Sequence, residues 1–111
     1  MRTLEHPDRE DMRLDLVLAA LADPIRRQIA CQLNEKLNNR ACVAFDLPVS
    51  KSTATHHFRV LREAGVISQE YQGTSIINSL RKADLDERFP GLLQAVFTAE
   101  HIENAAVDAA I

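Results

Sequence analysis

The chain has 111 residues, 46% hydrophobic and 26% charged, with a net charge of −3; this suits one globular domain and excludes wholesale disorder. Its longest unbroken apolar run, "LVLAALA" at residues 16–22, is far too short to cross a bilayer. The polar, acid-rich start "MRTLEHPDREDMR" is unlike a secretory leader, so a cytoplasmic protein with no membrane partner is expected.

The charge is unevenly placed. Residues 1–23 carry three cations and six anions, residues 24–62 seven and two, and residues 63–111 three and eight. A positive zone within an acidic protein is the footprint expected for a polyanion, with a plainly solvated charged face as the alternative. Two cysteines, Cys31 and Cys42, fall in different expected elements and are read as reduced packing residues, with a redox pair as the other possibility.

In chain order, residues 1–10 show no apolar periodicity and are expected as a flexible N-terminal arm, leaving residues 11–111 as one domain. From Asp11, Leu14, Val17, Leu18 and Leu21 recur at helical spacing and predict a first helix of about three turns. Asp23 is a good N-cap, and Pro24 at the next position forfeits only an amide that lacks a helical partner anyway. Ile25, Ile29 and Leu33 then line one face of a second helix ending near Asn34, with Arg26 and Arg27 outside. The run "ACVAFDL" reads as a brief helix or a strand, stopped by Pro48. Ser50 caps a helix over residues 51–64 that Gly65 ends. "VISQEY" and "SIINSL" flank "QGT" as a hairpin. A last long helix carries the stripe Leu92, Leu93, Val96 and Phe97. The fold class is mainly α with a small β-hairpin (α+β). Counting the short element as a helix, the order is α-α-α-α-β-β-α.

The helix over residues 51–64 separates into two faces. Ala54, Phe58 and Leu61 lie together at i, i+4, i+7 and point into a core. Lys51, Thr55, Arg59 and Arg62 lie opposite, with Ser52 and His56 beside them. No acid occurs from Lys51 to Arg62, and Ser52, Thr53 and Thr55 are poor helix formers for a solvent face. Short hydroxyls suit base edges and cations suit phosphates, as in a helix whose N-terminal residues enter the major groove of DNA. With the hairpin tip behind it, the combination is a winged helix-turn-helix.

The pair His56–His57 reads poorly as a metal or catalytic site. Adjacent helical residues point about 100° apart, whereas chelation on a helix favours i, i+4 spacing. No nucleophile with a base and an orienting group can be named, so no enzyme is expected. Packing is the plain alternative for His57, and DNA contact is favoured for His56.

"LADPIRRQIACQL" and "VSKSTATHHFRVLREAGVI" resemble the ArsR family of winged helix-turn-helix transcriptional repressors over roughly residues 12–82. The resemblance implies a homodimer built on the first and last helices, bound to a double-stranded DNA operator of two-fold symmetry; the expected mechanism is steric repression relieved by an inducer. It implies DNA-reading positions at Lys51, Ser52, Thr53, Thr55, His56 and His57, phosphate contacts at Arg59 and Arg62, and a wing tip at Gln72 and Thr74. The sequence departs from metal-sensing members in having Cys42 without a second nearby cysteine, so no cofactor is expected. The candidates for the family's other metal site are Asp86, His101 and Glu100 or Glu103, and Cys31 with Cys42 are the candidates for a thiol switch. A winged helix serving protein interaction without DNA is the alternative function.

Overall fold

A computed structural model describes residues 4–37, 40–41 and 45–110. After a 3-10 turn at Arg9–Asp11 come α1 (Leu14–Ala22) and α2 (Pro24–Gln32), the latter continuing into a π turn at Leu33–Leu37. The strand β1 (Arg40–Ala41), the helix α3 (Lys51–Ala64), the hairpin β2 (Ile67–Gln72) and β3 (Ser75–Leu80), and the helices α4 (Lys82–Arg88) and α5 (Leu92–Ala110) complete the chain.

The punctuation residues act as expected. The Asp23 carboxylate accepts from the amides of Ile25 (2.8 Å) and Arg26 (3.2 Å), and Pro24 opens α2. The Ser50 hydroxyl accepts from the Thr53 amide at 3.3 Å. Gly65 ends α3 at φ 89°, a left-handed conformation that glycine adopts without a Cβ penalty.

Three features differ from the expected order. Where a short helix was counted, Arg40–Ala41 is a strand and residues 45–50 are not helical; Cys42, Val43 and Ala44 lie outside the described residues. That strand joins β3, so the sheet has three antiparallel strands in the order β1-β3-β2. The last helical pattern is broken at Phe89–Gly91 into α4 and α5, because Pro90 lacks an amide and Gly91 turns at φ 83°.

The core gathers side chains from all five α-helices and from β2. Val17 and Leu21 of α1, Ile29 and Leu33 from α2 and its extension, Phe58 and Leu61 of α3, Ile67 of β2, Leu85 of α4, and Leu93 and Phe97 of α5 are buried. Each such side chain contributes about 1.5–3 kcal/mol on leaving water. Phe45 meets the Phe58 ring edge-on at 5.3 Å between centroids. These contacts leave α3 with its apolar side down and its polar side outward.

Residues 4–10, within the segment expected as an arm, run across the domain. His6 Nε2 accepts from the Gln69 amide (2.9 Å), and Arg81 donates to the Pro7 carbonyl (2.7 Å). Arg88 donates to the carbonyl of Met12 at 2.7 Å, and Met12 is itself buried.

Candidate nucleic-acid interface

The first turns of α3 present Lys51, Ser52, Thr53, Thr55, His56 and Arg59, all exposed. The local bonds leave this face available. Thr55 Oγ1 donates to the Lys51 carbonyl (2.9 Å), and Ser50 Oγ donates to Thr53 Oγ1 (3.0 Å). Arg59 lies 3.5 Å from His56 Nδ1 and 3.8 Å from Glu63. Both partners in the second contact are exposed, so that ion pair holds the guanidinium only weakly.

The hairpin faces the same side. Lys51, Thr55 and Arg59 line one wall of a groove whose other wall includes Tyr71, Thr74 and Ile76. Gln72 and Thr74 are exposed on either side of Gly73, which turns at φ 63°. Helix face and wing tip therefore border one concavity.

Two expected DNA contacts are placed differently. His57 is buried, and its Nδ1 accepts from Arg26 at 3.2 Å. Arg62 is half-buried and donates to the Gln69 side chain at 2.8 Å. Arg26 and Arg27, expected to point outward, turn back to the end of α1. Arg26 bonds the carbonyls of Ala19 (3.2 Å) and Ala20 (2.7 Å), and Arg27 those of Leu21 (3.0 Å) and Ala22 (2.9 Å). Four of the zone's cationic and imidazole heads thus serve the fold, and Lys51 and Arg59 are the exposed cations of α3.

The candidate metal ligands are engaged separately within one chain. Asp86 pairs with Lys82 at 2.8 Å, His101 with Glu35 at 2.8 Å and Glu100 with Arg27 at 2.9 Å, while Glu103 is exposed. Among the described residues, no group of three or more His, Cys, Asp or Glu is placed to hold a metal ion. Burial, reinforced by Glu100 and Glu35, pushes the Cys31 thiol up to about 11, which disfavours the reactive thiolate. Cys42, its expected redox partner, lies outside the described residues.

Sequence reasoning missed the buried polar pair Gln69 and Asn78, whose side chains bond at 2.7 Å. A signal for Gln69 was present: strand alternation places it on the same face as Ile67. It also missed His6, which no local pattern marks.

Residues 23–69, from the cap of α2 through α3 into β2, match the family model described as bacterial regulatory protein, arsR family. Over 80 residues, covering 72% of this chain and 89% of the relative, the sequence is 30% identical to the transcriptional repressor SdpR of Bacillus subtilis (strain 168). The chain belongs to the ArsR family. It is accordingly a DNA-binding transcriptional regulator. The fold agrees with an ArsR-like transcriptional regulator from Rhodococcus sp. RHA1, with a TM-score of 0.58 at 24% identity, covering 86% of this chain and 90% of that one. No described helix is long and apolar enough to cross a membrane.

Proposed function

We propose that this ArsR-family regulator is a homodimeric repressor that reads a two-fold operator and blocks a promoter until an inducer releases it. The observation that carries the reading is the shared groove of α3 and the wing, with Lys51, Thr55 and Arg59 facing Thr74. In this reading Ser52, Thr53, Thr55 and His56 meet base edges in the major groove. Lys51 and Arg59 neutralise phosphates, and Gln72 and Thr74 reach the flanking backbone. His57 supports the helix from beneath through Arg26.

The dimer rests on where apolar surface remains. Among the described residues, the exposed large hydrophobic ones lie on two helices: Leu14 (47%), Leu16 (49%) and Leu18 (46%) on α1, and Ile102 (66%) and Val107 (58%) on α5. A groove between these helices, lined by Leu18, Leu21, Val96 and Ala99, continues the patch. Surface of this kind is characteristic of an interface. A second copy places two α3 helices on one DNA face, as a two-fold operator requires.

Fluorescence anisotropy against a specific and a scrambled duplex, over a salt series, tests the reading. Arg59→Ala is expected to weaken binding to both and to flatten the salt slope by about 0.9 per phosphate lost. Ser52→Ala and His56→Ala are expected to reduce the preference for the specific duplex. Equal losses on both duplexes from these two variants overturn their base-reading role. Leu18→Glu, followed by sedimentation velocity, is expected to yield monomers; an unchanged species overturns the proposed interface.

A further inference from the structure

Gln69 is held from three directions. Its amide donates to His6 Nε2 (2.9 Å), its side-chain oxygen accepts from Arg62 Nη1 (2.8 Å), and its Nε2 donates to Asn78 Oδ1 (2.7 Å). Gln69 and Asn78 face each other across β2 and β3, and Asn78 is also the register partner of Arg40 in β1. Both side chains are buried, at 3% and 0% exposure. Two carboxamides inside a small sheet cost desolvation, offset only when their hydrogen bonds are made. An apolar pair would fill this space without that requirement.

The third member comes from the recognition helix. Arg62 lies one turn beyond Arg59, and its Nε is buried with no hydrogen-bond partner among the described residues. Arg62 lines the groove with Lys51 and Arg59, but burial at Nε and the Nη1 bond to Gln69 restrain its guanidinium more than those two exposed head groups are restrained. Its bond crosses from α3 to β2, elements otherwise joined in sequence only by Gly65 and Val66. A hydrogen bond is directional, whereas apolar contacts tolerate sliding.

We propose that Arg62, Gln69 and Asn78 are positioning residues that set the angle between α3 and the wing. The bonded chain holds the α3 face and the Gln72–Thr74 tip at the spacing at which both engage one duplex. The role in binding rests on the reading of α3 and the wing as the DNA-contacting surface. Arg62 acts through Gln69 instead of on a phosphate.

The test is a double-mutant cycle in the full chain with Arg62→Met, Gln69→Leu and the pair, using Arg59→Ala for comparison. The probe is a duplex selected from a random pool by the native chain. Each single variant is expected to weaken binding about tenfold, with the pair no weaker than either alone, as for residues acting as one unit. Both are expected to keep the native salt slope, which Arg59→Ala flattens. Hydrogen exchange of the free protein is expected to quicken at β2 and β3 amides in both variants while α3 stays protected. Gln69→Glu, which keeps an acceptor for Arg62 but loses the donor to Asn78, is expected to recover only part of the binding that Gln69→Leu loses, and Arg62→Met with its salt slope serves if the Leu variant does not fold. A flattened salt slope in Arg62→Met with native binding by Gln69→Leu overturns the proposal, as do additive losses. A native chain that selects no duplex overturns the DNA reading and this role in binding with it. The exchange comparison still decides whether these residues hold the wing.

Discussion

Arg27 Nε donates to Glu100 Oε2 at 2.9 Å, and the same guanidinium donates through Nη1 to the carbonyls of Leu21 and Ala22. One side chain thereby ties α2 to α5 and closes the end of α1, whose last carbonyls have no helical partners. The pair is 22% and 15% exposed, so water screens it only partly. Glu100→Gln is expected to cost about 1 kcal/mol, because the amide oxygen still accepts but without charge. Arg27→Met is expected to cost about 2–3 kcal/mol, since it also strips two carbonyls and leaves Glu100 uncompensated. Urea unfolding of the two variants measures the difference; equal losses would mean that the carbonyl bonds contribute nothing.

Gly65 combines left-handed backbone with a close approach. A Cβ there would lie 2.9 Å from Met12 Cε and 3.2 Å from Pro7 Cγ. Gly65→Ala is expected to cost about 2 kcal/mol or more, from backbone strain plus displacement of Met12. Gly73→Ala, at φ 63° with nothing within 4 Å, is expected to cost only the strain, about 1 kcal/mol. Thermal unfolding of both proteins checks the order, and the two losses become equal if the Met12 contact yields freely.

These two glycines illustrate what the sequence discloses. A residue's effect on its own backbone is local, so the cap at Asp23, the cap at Ser50 and the end at Gly65 were all readable. Pro90 and Gly91 were equally local, and the break between α4 and α5 was there to be read. The charge-rich middle was less legible. An arginine stem is long enough to lie along the core and deliver its head to a carbonyl, so Arg26, Arg27 and Arg62 look like surface cations until the fold is known. The tie from His6 to Gln69 spans 63 residues and had no sequence signal at all.

His6 makes stability pH-dependent. Burial chiefly lowers its pKa below the ordinary value of 6.5; Arg81 and Arg62 lower it further, while the Leu4 backbone and Glu70 act in the other sense. The unfolded chain therefore takes up this proton first. The contribution of His6 is complete above pH 6.5 and declines as pH falls below that value and through the folded pKa. Protonation also removes the lone pair that accepts from Gln69. Urea midpoints of the native chain and of His6→Gln, followed from about pH 7.5 down to about pH 5, are expected to converge on acidification. Parallel curves would show that this group does not titrate on unfolding.

The Cys31 thiol, raised to about 11, is expected to react sluggishly. In a Cys42→Ser background, iodoacetamide at pH 8 is expected to label Cys31 about a hundredfold more slowly than free cysteine, because the thiolate is the nucleophile. Labelling at the free-cysteine rate would restore Cys31 as a redox candidate.

The sheet order leaves β2 on an outer edge, where His6 takes the amide of Gln69. An uncovered strand edge is a template for another chain, and proteins guard such edges with charge, brevity or a covering segment. His6 supplies such a cover at Gln69. Trimming the first ten residues, or replacing them with a fusion sequence, would bare the Gln69 amide on this edge and so expose a backbone donor to which a second strand could add.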